Sequence, residues 1–316
     1  MSKQFHNLRG SLILGFASMI WGCAFVVQNI LADRVPPFML NALRSLIGVL
    51  FLCGLLLLRR AKTKQPILPV DRAERRKALL VGVICGILLT VSVNLQQFGL
   101  VFYPEGTAAE ARGGFLTSLY VLLVPILATI LGKRPSLSVW LALLPAVAGI
   151  YLLCLSDGLA GFYLGDAFVL LCALSFSFHI LVIDRVGVQV DGILLSTLQF
   201  AVCAILSLVL SLIFEDFAIS ALPAALPYLC YMGIVSTGIG YTLQIVGQKY
   251  AEPTVASLAM SLESVFAALG GWVISGNTLA PQELIGCVLV FGAIVLAQIP
   301  FPAQRGRKMA QSDQTS

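Results

Sequence analysis

Long apolar stretches alternate with short polar segments along the whole chain. Each stretch is close to the ~20 residues that a helix needs to cross a ~30 Å hydrocarbon layer. The pattern predicts ten membrane-spanning helices, near residues 10–31, 36–58, 78–100, 107–131, 137–156, 165–183, 192–214, 224–247, 253–275 and 281–300. The expected fold class is therefore an all-α integral membrane protein whose main partner is the lipid bilayer.

Two of these spans depart from the simple pattern. Glu110 and Arg112 lie near the start of the fourth span, and several glycines and prolines interrupt the eighth. A helix is still favoured in both, because irregular backbone exposed to lipid would leave its polar groups without hydrogen bonds.

The chain also matches itself at a period of about 150 residues, as duplicated transporters do. The matches are Asp33-Arg34-Val35 with Asp184-Arg185-Val186, and Asn94-Leu95-Gln96 and Gly99 with Thr242-Leu243-Gln244 and Gly247. They predict two five-helix repeats, at 10–156 and 165–300, between an N-terminal segment (1–9) and a C-terminal tail (301–316). An odd number of spans inverts the second repeat, which predicts an in-plane pseudo-twofold axis and a substrate site between the copies.

Composition and charge support this topology. Hydrophobic residues make up 59% of the chain and charged residues only 11%, against roughly 25% charged in soluble domains. Seventeen of the 20 Lys and Arg residues fall in segments that share one side of the membrane, and only Arg34 lies in a loop on the other. The positive-inside rule then predicts that both termini are cytoplasmic, and the net charge of +5 gives no reason to expect nucleic acid.

Four charged residues lie at least three residues beyond the start of a predicted span, at depths where each charge costs at least about 2.5 to 3.5 kcal/mol. Arg44 either binds a substrate carboxylate or pairs with Glu110, which enters from the same side. Glu263, near mid-membrane, either exchanges a proton or meets a substrate amine, or it makes a buried bond between helices. Glu110 and Arg112 point about 200° apart on a helix and need separate partners, unless both lie in the headgroup layer. We treat Glu263, Glu110 and Arg112 as candidate coupling or gating residues.

Uncharged polar and aromatic residues complete the candidate site. The repeat-related residues among them could hold a zwitterion or could simply join helices, and the aromatic residues could line a cavity or pack. These substrate-binding candidates are Asn94, Gln96, Tyr241, Gln244, Trp21 and Tyr120. His179, in the sixth span, is a fourth candidate coupling or gating residue: it is either a proton relay or a hydrogen-bonded packing residue.

Several of these residues carry a resemblance to a known family. Trp21-Gly22, Arg44, the stretch from Gly113 to Pro125 and the stretch from Ser261 to Ala268 are similar to the drug/metabolite transporter superfamily, in particular to EamA-type bacterial carriers with two five-helix repeats. The resemblance implies a secondary transporter that exports small metabolites, such as amino acids or related compounds, across the bacterial cytoplasmic membrane by alternating access.

Other functions lack their usual motifs. There is no phosphate-binding loop of a primary pump, and neither H-E-x-x-H nor G-x-S-x-G, so an enzyme is disfavoured. A channel would need a selectivity filter, and no repeated segment of that kind is present. We expect no cofactor, no metal and no nucleic acid. The expected partners are a small-molecule substrate, with a proton or a counter-substrate as the candidate for coupling; a monomer and a homodimer both fit the sequence.

Overall fold

A computed structural model describes residues 3–32, 34–104, 109–154, 162–216, 222–275 and 280–299, and within them the chain forms helices and no β strand. The helices are α1 (Lys3–Ala32), α2 (Pro37–Thr63), α3 (Arg72–Val101), α4 (Ala109–Ser118), α5 (Tyr120–Ile130), α6 (Leu137–Cys154), α7 (Leu164–Arg185), α8 (Gly192–Phe214), α9 (Leu222–Cys230), α10 (Tyr241–Gln248), α11 (Pro253–Met260), α12 (Leu262–Ser275) and α13 (Pro281–Gln298). A π-helix (Tyr231–Gly240) joins α9 to α10, and a short 3₁₀ turn (Gly187–Gln189) precedes α8.

Within the described ranges these helices make ten spans, so the predicted fold class is confirmed. The fourth span consists of α4 and α5, the eighth of α9, the π-helix and α10, and the ninth of α11 and α12. By the length and composition of the described residues, seven of these spans are long and apolar enough to cross a membrane, including the fourth (Gly113–Ile130) and the eighth (Leu222–Gln248). The two spans with polar or interrupting residues are therefore helical, as their lipid environment requires.

The outer surface of the helix bundle is apolar and its interior is partly polar. Leu144, Leu212 and Val288 expose 73%, 73% and 71% of their surface, whereas Asn41 and Gln199 are fully buried. A soluble protein has the opposite arrangement. An apolar surface around a partly polar interior is stable in a bilayer, because hydrocarbon solvates the leucines while the buried amides bond to one another inside the bundle.

The two halves of the bundle pack as a twofold relation requires. α2 packs along α8 and α6 along α13, which pairs the second span with the seventh and the fifth with the tenth. The third span (α3) packs on the sixth (α7), and the eighth span (the π-helix and α10) packs on the first (α1). In the same way, the fourth span (α4 and α5) packs on α7, and the ninth span (α11 and α12) packs on α1. Exchanging the two halves leaves these contacts unchanged. The two five-helix units are therefore related by a pseudo-twofold axis, and their odd number of spans gives them opposite topology.

Two glycine contacts, one near each end of the bundle, fix the register of the halves. A Cβ atom on Gly10 of α1 would lie 2.9 Å from the carbonyl oxygen of Gly247 in α10. A Cβ atom on Gly165 of α7 would lie 2.7 Å from the carbonyl oxygen of Gly99 in α3. Gly99 and Gly247 are matched by the sequence repeat, so Gly10 must be equivalent to Gly165. Arg34-Val35 and Arg185-Val186, which belong to the matched tripeptides, are four residues out of this register and are not structurally equivalent.

A methyl group should not fit at either glycine contact. We expect Gly10→Ala and Gly165→Ala each to lower the free energy of unfolding by about 1 to 3 kcal/mol, the usual cost of overpacking, because each Cβ meets backbone that cannot rotate away. Gly54→Ala in α2 is the control. Its Cβ would meet nothing within 4 Å, and alanine favours a helix interior by up to about 1 kcal/mol. Thermal unfolding in detergent measures the difference, and equal melting temperatures for all three variants would contradict the prediction.

Candidate functional site

A cavity lies between the two halves, with walls from spans of both repeats. Among the residues that the structure describes, its lining combines one cation, one carboxyl group, three amides, hydroxyl groups and aromatic rings. The lining residues are Trp21, Ala24, Phe25, Gln28, Arg44, Gln96, Thr117, Tyr120, Phe176, Ile180, Ser236, Tyr241, Gln244, Met260 and Glu263.

Arg44 supplies the positive charge of the cavity. It lies eight residues into α2 and is only 4% exposed. Its guanidinium has no hydrogen bond or ion pair with any residue that the structure describes, and its Nε is fully buried. A guanidinium offers five N–H donors in a planar fork that matches a carboxylate. These donors, which no described residue occupies, are therefore suited to an anionic group of a ligand.

Glu263 supplies the negative charge, from the other half of the protein. It lies in the first turn of α12, is 8% exposed, and accepts a hydrogen bond from the Tyr120 hydroxyl at 3.1 Å. This bond joins α5 of the first half to α12 of the second half. Any movement of the halves that separates these helices also changes the surroundings of the carboxyl group.

Amide and aromatic side chains form the rest of the wall. Gln96 donates to the Thr117 hydroxyl at 3.4 Å, while the Gln244 side-chain oxygen is buried with no partner among the described residues. The Trp21 indole lies against the Tyr241 ring, with 4.9 Å between the ring centroids. An unpaired amide oxygen beside an aromatic wall can accept a hydrogen bond from a polar ligand group.

Breaks in the helices occur next to this cavity. α4 ends and α5 begins around Leu119, between the lining residues Thr117 and Tyr120, and the ninth span breaks at Ser261, between Met260 and Glu263. The Ser261 hydroxyl donates to the Leu258 carbonyl, a local bond that competes with regular helix. Irregular backbone at membrane depth is tolerated where it is buried in protein or lines a cavity.

The cavity is narrow in this conformation. Its volume is about 50 Å³, which is room for a few waters. Ligand sites typically measure roughly 300 to 1,000 Å³. A metabolite can therefore enter only if the walls separate.

Seven of the sequence-predicted residues meet in this cavity: Trp21, Arg44, Gln96, Tyr120, Tyr241, Gln244 and Glu263. Two others do not line it. Asn94 is bonded to Asn41 and to Ser207, each at 3.0 Å, and His179 lies 3.1 Å from the Gln199 side-chain oxygen and is fully buried. Glu110 and Arg112 belong to α4, and their side chains lie outside the described part of the structure.

Three polar residues of the cavity wall are not among those predicted from the sequence: Gln28, Thr117 and Ser236. Gln28 follows Trp21 by seven residues and Thr117 precedes Tyr120 by three, so the helical period of the sequence places both on the same side as a predicted residue. This spacing could have identified them. Ser236 has no such signal, because a π-helix determines its direction.

Comparisons with known proteins agree with this fold. The model of the EamA-like transporter family matches residues 8–155 and 163–298. A relative from Archaeoglobus fulgidus, named an uncharacterized transporter, is 28% identical over 93% of this chain and 87% of its own length. YoaV of Bacillus subtilis, with the same description, is 21% identical over 93% of this chain and 99% of its own length. A crystal structure with 21% sequence identity has a TM-score of 0.74 and covers 91% of this chain and 95% of its own. The chain is thus a multi-pass membrane protein that belongs to the EamA-like transporter family, within the drug/metabolite transporter superfamily.

Proposed function

We propose that this protein is a secondary transporter of a small zwitterionic metabolite, such as an amino acid or a related compound. The observation that carries the proposal is a buried cavity with a carboxyl group on one half and, on the other, a guanidinium that has no partner among the described residues. Arg44 would bind a carboxylate, and Glu263 would meet an ammonium group or exchange a proton. Trp21 and Tyr241 would cover the apolar part of the ligand.

The proposed mechanism is alternating access. The cavity is too small to admit a metabolite, and equivalent glycine contacts lie near both ends of the bundle. Opening one contact while the other stays closed would expose the cavity to one side of the membrane only. The pseudo-twofold relation supports this mechanism, because exchanging the conformations of the halves would expose the opposite side.

The proposed orientation places both termini in the cytoplasm and the protein in a bacterial inner membrane. The asymmetry of Lys and Arg supports it. Export of the substrate is proposed from the family resemblance. The gradients of the substrate and of any coupled proton or counter-substrate set the net direction, since a carrier without coupling only equilibrates its substrate.

Counterflow in proteoliposomes tests the proposal. Vesicles loaded with a mixed pool of amino acids and small organic acids should take up one labelled compound saturably, and the same compound should compete. A unitary current would instead indicate a channel, and chemical conversion of the compound an enzyme. Absence of exchange from every pool, with the protein folded and inserted, would overturn the proposed substrate class.

A further inference from the structure

Gly86 and Gly233 are equivalent positions in the two halves. A Cβ atom on Gly86 of α3 would lie 2.5 Å from the Val202 side chain of α8, and one on Gly233 of the eighth span would lie 2.6 Å from that of Ile47 in α2. In each case a glycine of the third helix of a repeat meets a β-branched residue on the second helix of the other repeat. These contacts mark the same point in spans three and eight.

The eighth span contains one residue more than the third span between two equivalent glycine contacts. Thirteen positions separate Gly86 from Gly99, and fourteen separate Gly233 from Gly247, although both ends make equivalent contacts. α3 is a regular α-helix throughout, whereas the π-helix (Tyr231–Gly240) begins before Gly233 and ends between the two glycines of the eighth span. A π-helix closes a wider turn and so absorbs an additional residue without rotating the flanking helices.

The π-helix shapes the cavity wall. The Trp21 indole N–H donates to the Ser236 carbonyl oxygen at 3.2 Å, and Ser236 itself lines the cavity. A Cβ atom on Gly240 would lie 2.7 Å from the Trp21 Nε1, so the backbone and the indole are in close contact. Trp21 in turn packs on Tyr241. The regular helix α3 contributes only Gln96 to the same cavity.

We propose that the residue inserted in the eighth span is a positioning element for the substrate site. It produces the π-helix, the π-helix presents the Ser236 carbonyl to Trp21, and Trp21, held in this way, orients Tyr241. The proposal rests on the proposed transport function only for its kinetic consequence. Its structural consequence is independent of transport. Removing one residue from the π-helix should give the eighth span the same spacing between its two glycine contacts as α3 has.

Two single-residue deletions test the structural consequence. Deleting Val235 from the π-helix should give a regular α-helix with both flanking contacts kept, so the variant should stay monodisperse and melt within a few degrees of wild type. Deleting Val91, a lipid-exposed residue at the corresponding part of α3, should turn Gly86 by about 100° relative to Gly99 and unfold the protein. Equal loss of folding in both variants would overturn the inference.

Fluorescence and kinetics test the positioning role. With Trp140 and Trp272 replaced by Phe, the emission of Trp21 should shift when Val235 is deleted, because the bond to Ser236 is lost. The KM for the exchanged compound should rise about tenfold, the upper range for one hydrogen bond, with Vmax little changed. A folded deletion variant with unchanged emission and KM would refute the positioning role. If wild type shows no exchange at all, the transport proposal fails, and the stability and fluorescence results still decide whether the π-helix holds Trp21.

Discussion

Replacing Arg44 with methionine is expected to weaken substrate binding strongly without lowering the thermal stability. The guanidinium is buried and has no partner among the described residues, so its removal eliminates a desolvated charge and leaves none of the described acids without a partner. A bidentate bond to a substrate carboxylate should contribute about 2 to 4 kcal/mol, which corresponds to a loss of roughly 30- to 1,000-fold in affinity. Binding is measured by the concentration dependence of counterflow, and stability by melting in detergent.

Two further variants make this prediction specific. Arg44→Lys keeps the charge but cannot form two parallel bonds, so it should recover only part of the affinity. Arg59→Met makes the same change at the end of α2, where Arg59 pairs with Asp191 at 2.8 Å and is partly exposed; such pairs contribute about 0 to 1 kcal/mol, and transport should remain. If Arg44→Met instead lowers the stability by about 3 to 5 kcal/mol, as breaking a buried pair does, then Arg44 is the structural partner of an acid such as Glu110.

Hydropathy and charge predicted the parts of this protein that the bilayer dictates. Because lipid requires a helix about 20 residues long, the apolar runs predict all ten spans, including the eighth with its glycines and prolines. Because a charge at membrane depth must face a cavity or a partner, the sequence singled out Arg44 and Glu263, and both line the cavity.

The sequence could not predict how each polar residue inside the bundle is satisfied. Asn94 and Gln96 are two positions apart in α3 and so lie on different faces; Gln96 lines the cavity while Asn94 bonds to Asn41. The direction in which a helix turns depends on its neighbours, which a one-dimensional pattern does not contain. The same holds for the additional residue of the eighth span, which is recognised only when equivalent contacts are compared.

Replacing Glu263 with glutamine is expected to eliminate transport driven by a pH gradient while counterflow continues. Glutamine has nearly the same shape, and its side-chain oxygen can still accept the Tyr120 hydroxyl bond, so the cavity should be preserved. An amide cannot gain or lose a proton, so the coupling step is removed. Accumulation under an imposed pH gradient, compared with equilibrium exchange in the same vesicles, separates the two activities. Glu74→Gln, the same change at an exposed residue, should alter neither.

The outcome also decides which ligand group Glu263 meets. If counterflow disappears together with gradient-driven uptake, the carboxylate contacts the cationic group of the substrate directly, and a pure coupling role is excluded.

Tyr120→Phe then gives an independent check, because it removes the hydroxyl that donates to Glu263 and leaves the carboxyl group in place. A coupling carboxylate should keep a pH-dependent rate in this variant, with a loss of about tenfold at most. The bond between Tyr120 and Glu263 crosses the two halves, so its loss should also change how readily they separate, and the exchange rate should change more than the substrate affinity.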